Sequence, residues 1–93
     1  IAFAPGAGDS FLTAALASGA DVFITSDLRH HPAQDFLENN EVGRSVALID
    51  ISHWAAESLW LPLAQKELMK RHPQVEFVVS DVRTDPWDFA VMQ

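Results

Sequence analysis

Hydrophobic positions fall into short unbroken runs separated by stretches with helical spacing. Residues 1–4 (IAFA) form the first run and read as a strand. PGAGD follows as a turn, with Asp9 or Ser10 placed to cap a helix whose apolar positions Phe11, Leu12, Ala15 and Leu16 recur at a period near 3.6 and which Gly19 ends. Residues 21–25 (DVFIT) predict a second strand. His30-His31-Pro32 opens a second helix, with Pro32 suited to its first position and Ala33, Phe36 and Leu37 as the buried stripe. A polar loop at 41–44 leads to a third strand over 45–51. HWAAES then predicts a short helical turn, and Pro62 either interrupts it or starts a longer helix with the stripe Leu61, Ala64 and Leu68. Residues 75–80 (VEFVVS) predict a fourth strand, introduced by Pro73. The remaining DVRTDPWDFAVMQ has turn chemistry at Asp85-Pro86 and no clear period.

The resulting order, β-α-β-α-β-α-β, predicts an α/β fold: a three-layer arrangement around a largely parallel or mixed sheet. The strands are apolar throughout rather than alternating, as expected when both faces of a sheet are covered. With 93 residues the expectation is one domain over 1–93. Because the chain opens at Ile1, inside the first strand, it also reads as a fragment of a longer protein.

Composition narrows the function classes. No cysteine is present, which removes disulfides and thiolate metal sites. Thirteen acidic residues against six basic ones give a net charge of −7. The basic residues are scattered rather than aligned in a stripe, which argues against direct nucleic-acid binding. The apolar runs are far shorter than the roughly 20 residues that span a bilayer, and no signal peptide is visible. A cytoplasmic location is the expectation.

In α/β sheets ligands bind beyond the carboxyl ends of the strands. Three stretches are expected there: PGAGDS, TSDLRHH and DISHWAAE. His53 and Glu57 lie four apart, so on a helix they share a face and both reach one ion. Nitrogen and oxygen donors suit Zn, Mn or Fe rather than Ca. The competing reading is a capping turn, with Ser52 as N-cap and Glu57 solvated or paired to His53. Asp50 precedes this turn and is a candidate for the pocket. His31 is a second pocket candidate or a residue of the helix cap, and His30 reads as a surface residue. Asp27 either fixes a histidine tautomer from behind or is a loop residue. Gly6, Gly8 and Ser10 stand before a helix N-terminus, where free N–H groups attract anions, or the glycines simply supply tight-turn dihedrals. The loop is not a Walker A sequence. His72, Trp54, Trp60 and Trp87 read as structural, although Trp54, beside His53, can wall a pocket or an oligomer interface.

Taken together, GAGDSFLTAALASGADVFITSDLRHHPAQDF, ALIDISHWAAES and VVSDVRTDPWDF resemble the C-terminal half of the Nif-three-like family, also known as GTP cyclohydrolase 1 type 2 homologues or dinuclear metal centre proteins. Ser26 and Ser52 stand where glycine is usual. The resemblance implies that His53 and Glu57 are metal ligands, contributed by the second half of a two-metal site. The remaining ligands, a His pair and an Asp, belong to the first half. His30 and His31 are therefore not that pair, although His31 matches a family histidine near the metals. Further implications are two divalent transition metals (Zn, Mn or Fe), homo-oligomerisation into a hexamer, and a metal-dependent hydrolase acting on a small phosphorylated or nucleotide-like molecule. The alternative is a metal-binding regulatory or scaffold protein without turnover. No catalytic residue is assigned, and the 93 residues alone are expected to bind metal weakly or not at all and to be inactive.

Overall fold

The computed structural model describes residues 1–40, 45–89 and 91. Three strands, β1 (Ala2–Ala7), β2 (Val22–Ser26) and β3 (Ala47–Asp50), form a parallel sheet in the order β1-β2-β3. Parallel neighbours need crossover connections. These contain α1 (Leu12–Ala17), preceded by a 3-10 turn at Asp9–Phe11, and α2 (His30–Asn39). After β3 come α3 (His53–Ser58) and α4 (Leu61–Arg71). Among the described residues no helix is long and apolar enough to cross a membrane.

Register explains which side chains form the core. Ala2, Phe23 and Leu48 lie abreast, and so do Phe3, Ile24 and Ile49. Alternation sends the first row to the face covered by α1 and α2. There Phe23 packs with Leu12, Ala15, Phe36 and Val46, all buried. The second row faces the other way, and Phe3 and Ile49 remain about half exposed. Among the described residues the first face is therefore covered, and the second is left partly open at Phe3 and Ile49.

Several local expectations change. β1 does not turn at Pro5 but continues to Ala7. Between Phe3 and Ala7 it takes four steps while β2 takes two, from Ile24 to Ser26. This irregularity is accommodated by Gly6 at φ 82°, and Pro5 is tolerated because β1 is an edge strand. Neither Asp9 nor Ser10 caps the first helix. Gly8 holds the cap position before the 3-10 turn, and the Asp9 carboxylate instead accepts from the Arg29 backbone and side chain. Gly19, at φ 78°, follows α1 as expected. Pro32 is the third residue of α2, not the first. Phe36 is the buried member of its stripe, and Leu37 faces solvent. The buried Asn40 side chain bonds both backbone groups of Val46, fixing the entry to β3. The loop expected at 41–44 lies outside the described residues.

The largest departure is at 75–80, which is not a strand. The segment follows α4, joined to it by a bond from Gln65 Nε2 to the Phe77 carbonyl (2.6 Å) and to its cap residue His72 by the Val75 N–H (3.0 Å). No residue of α4 is buried, and its expected stripe residues Leu61 and Leu68 are exposed. The radius of gyration, 16.9 Å with extents of 55 × 31 × 18 Å, expresses this arm. A closely packed chain of this length would have a value of about 12 Å.

Candidate functional site

The carboxyl end of the sheet gathers the expected stretches into one place. α3 packs against β1 and β2. Its start is well determined: Ser52 Oγ accepts from the Ala55 N–H (3.1 Å), the N-cap bond expected of a serine there. Both parts of the competing reading are thus present, the Ser52 cap and the pairing of Glu57 with His53. The cap orients the first residue of α3, His53, and Glu57 lies one turn later on the same face.

His53 is held from both sides. Its Nδ1 lies 2.5 Å from Asp27 Oδ2, and its Nε2 lies 3.1 Å from Glu57 Oε1. Asp27 reaches the ring because its backbone is left-handed, at φ 52°, immediately after β2. Non-glycine residues rarely adopt this region, and Asp is among those that do. The Asp27 hydrogen bond is the largest influence on His53 and raises its pKa above the usual 6.5; burial opposes this, and the Glu57 charge adds to the rise. In the neutral ring, a proton on Nδ1 shared with Asp27 leaves the Nε2 lone pair turned toward Glu57.

β1 closes the site from below. A methyl group on Gly6 would stand 2.7 Å from Glu57 Oε1 and 3.3 Å from His53 Nε2. The irregularity in β1 thus brings backbone against the His–Glu pair where no side chain fits. Thr25, fully buried, ties Gly6 down by donating Oγ1–H to its carbonyl (3.1 Å). Gly8 has a different reason: an added Cβ would lie 1.9 Å from Thr25 Oγ1, and its N–H is already committed to the Ser26 carbonyl (3.0 Å). An anion at this loop would meet the Glu57 carboxylate and would find the Gly8 donor taken. Ser10 sits exposed in the 3-10 turn.

The other expected residues are placed as follows. Asp50 Oδ2 accepts from the Leu28 N–H (3.2 Å), bracing the loop that carries Asp27. His31 is exposed in the first turn of α2, where its ring meets that of His30 edge-on at 5.3 Å. Among the described residues it makes no hydrogen bond or ion pair with His53, Glu57 or Asp27. Trp54 does wall a cleft, an open space of about 370 Å³ that also includes Asp27, His53 and Glu57. Its far wall comes from the tail, through Asp85 and Trp87. Asp85 Oδ2 accepts from Ser52 Oγ (2.9 Å), so the tail is fastened to the cap of α3. Asp85-Pro86 reads in the sequence only as a turn, and the Ser52–Asp85 pair, 33 residues apart, leaves no periodic signal.

Among the described residues no three His, Asp or Glu side chains converge to hold an ion. Asp27 and Glu57 take opposite edges of the imidazole, so only Nε2 and the Glu57 carboxylate face a common point.

Fold and site together define a class: a parallel α/β unit with a braced His–Glu pair at the carboxyl end of its strands. The chain belongs to the Duf34/NIF3 (NGG1p interacting factor 3) family, whose profile matches residues 1–86. It is 38% identical over 90 residues to a GTP cyclohydrolase 1 type 2 homolog of Mycobacterium leprae, covering 95% of this chain and 22% of the relative. A GTP cyclohydrolase 1 type 2 homolog of Streptomyces coelicolor is 38% identical over 91 residues, covering 94% and 30%. Of solved structures, the Bacillus cereus protein related to NIF3 superposes with a TM-score of 0.77 at 26% identity, over 95% of this chain and 24% of that one. The Staphylococcus aureus protein SA1388 gives 0.71 at 28%, over 95% and 28%. The chain thus spans about a quarter of the length of the relatives it matches.

Proposed function

We propose that this chain supplies one wall of a divalent-metal site, through His53 and Glu57, in a longer metal-dependent hydrolase acting on a small phosphorylated or nucleotide-like molecule. The observation that carries this reading is the 3.1 Å separation of His53 Nε2 and Glu57 Oε1, with Nδ1 held by Asp27. Two donors that each bind one ion at about 2.1 Å stand roughly 3.0–3.4 Å apart across the usual coordination angles. A ligating histidine ordinarily shares its other nitrogen with a carboxylate, which fixes the tautomer. Gly6 adds support, since any larger residue would fill the space beside both donors. The donor set suits Zn, Mn or Fe.

Two donors make an incomplete site, because catalytic ions normally have three or more protein ligands. The missing donors come from outside the described residues, and the 93 residues alone hold metal weakly and do not turn over substrate. A bound ion supplies Lewis-acid polarisation of a phosphoryl or carbonyl oxygen. Around it, Ser52 and Asp85 hold the start of α3, Asp27 orients His53, and the close approach of Gly6 leaves the two donors room to face outward.

Elemental analysis of the full-length protein beside its His53→Ala variant tests this. About two transition-metal ions per chain, as a two-metal site requires, with at least one lost in the variant, is the expected result. A protein that purifies without metal and refuses added Zn or Mn overturns it and leaves the regulatory or scaffold reading.

A further inference from the structure

Trp87 is a large aromatic side chain that the fold leaves 66% exposed, yet its backbone is not free. Its N–H donates to Asp85 Oδ1 (3.2 Å), and its carbonyl accepts from the Arg83 guanidinium. The other oxygen of Asp85 binds Ser52 Oγ, at the cap of α3. One carboxylate therefore ties the backbone of Trp87 to the helix that carries His53 and Glu57. Such clamping on a segment without helix or strand fixes the point from which the exposed side chain leaves the backbone. Leaving it in water forgoes the burial that ordinarily stabilises a tryptophan.

That place lies between two clefts. Trp87 walls the space of about 370 Å³ that holds His53 and Glu57, and also a neighbouring space of about 520 Å³ with Asp50 and Phe89. Asp27 is common to both. Volumes of this size suit a small molecule. Among the described residues neither cleft is lined by lysine or arginine, so the surface offers nothing for an anionic group except by way of a metal. It does offer an aromatic ring beside the acceptor oxygens of Asp27 and Asp50. A planar heterocycle with N–H or amino donors on its edge meets both features.

We propose that Trp87 is the stacking platform for a nucleobase-like ring of the ligand, whose donor edge faces the Asp27 and Asp50 carboxylates. The proposal rests on the metal reading above for the phosphoryl end of the same ligand.

Calorimetric titration of the full-length, Zn- or Mn-loaded protein tests it, using guanosine monophosphate and ribose 5-phosphate as probes. Both carry sugar and phosphate, and only the first carries a ring. Trp87→Ala is expected to weaken guanosine monophosphate binding about 10-fold, the scale of one base–aromatic stack. Ribose 5-phosphate should bind the variant as it binds the wild type, which also shows that the variant is folded. Trp87→Phe should restore most of the loss. Equal weakening of both probes, or none, overturns the stacking role while leaving the metal reading in place. Absence of metal-dependent binding of either probe to the wild type overturns both.

Discussion

The carboxyl end of the sheet and the α4 arm come from the same chain, yet they are held in opposite ways. At the sheet end, Gly6, Thr25, Asp27, Ser52, His53 and Asp85 are joined by side-chain bonds that link positions 19 to 33 residues apart. In the arm the side-chain bonds are local, Lys70 to Glu67 and Gln65 to the Phe77 carbonyl, and Leu63 and Met69 are exposed. An isolated helix of 11 residues is marginal in water, because packing rather than propensity supplies most helical stability in proteins. The difference teaches that local pattern suffices to form an element, whereas position in a core needs partners from elsewhere.

Truncation in each region is the sharpest way to break this comparison. Phe23 is 2% exposed at the centre of the core, and Phe23→Ala is expected to cost about 3–5 kcal/mol. Leu63 is 68% exposed, and Leu63→Ala should stay within about 0.5 kcal/mol. Urea denaturation of the 93-residue chain measures both. A large loss from Leu63→Ala would mean that the arm folds back onto the body in solution.

The same contrast explains what was legible in the sequence. The first three strands, the first two helices and a helical stretch around 53–71 are legible, because their signals are local: apolar runs, the N-cap Ser52 and the stop at Gly19; whether Pro62 divides that stretch into two helices stays open in the sequence. The pairing of His53 with Glu57 followed from their spacing. The strand expected at 75–80 was not realised, because a strand needs a neighbour and β-rich composition cannot say whether one is present. In the sequence the β1 irregularity reads as a turn, since Pro5 and Gly6 mark both. Asp85 and Trp87 were missed as parts of the cleft because their roles depend on a long-range bond to Ser52. No spacing rule connects Asp27 to His53, 26 residues away, so the sequence alone does not fix its role.

The two glycines of β1 and its turn refine the comparison within the site itself. Gly8→Ala would place a methyl group within 2.7 Å of three atoms of Thr25, which is buried in the central strand of the sheet and cannot swing aside. A loss of about 1–3 kcal/mol is expected, read as a lower urea midpoint. Gly6→Ala meets the ends of Glu57 and His53 instead, which can move, and its penalty is mainly the left-handed backbone, roughly 1–2 kcal/mol. Its distinguishing effect should be on the site: loss of metal from the full-length protein out of proportion to its loss of stability. If Gly8→Ala abolishes metal binding at equal stability and Gly6→Ala does not, the assignment of the two positions is reversed.

The smallest expected effect concerns a single proton. His53 holds its proton more tightly than a free imidazole does, first because of the Asp27 hydrogen bond and then through Glu57. A raised pKa in the folded chain means that the pairing stabilises the fold in full below the unfolded value near 6.5, and that this contribution is lost as pH rises through the folded value. A metal at the proposed site would work against the same proton, since an imidazole nitrogen binds an ion only when it is unprotonated. Affinity should therefore fall as pH drops through the raised pKa. NMR titration of the His53 ring in the metal-free chain should give a midpoint above 6.5, and Asp27→Asn should move it downward, with Glu57→Gln giving the smaller change. A midpoint that does not respond to Asp27→Asn would mean that Asp27 does not hold the ring in solution. The bracing that sets the sheet end apart from the arm would then be limited to the Ser52 cap and the Thr25–Gly6 bond.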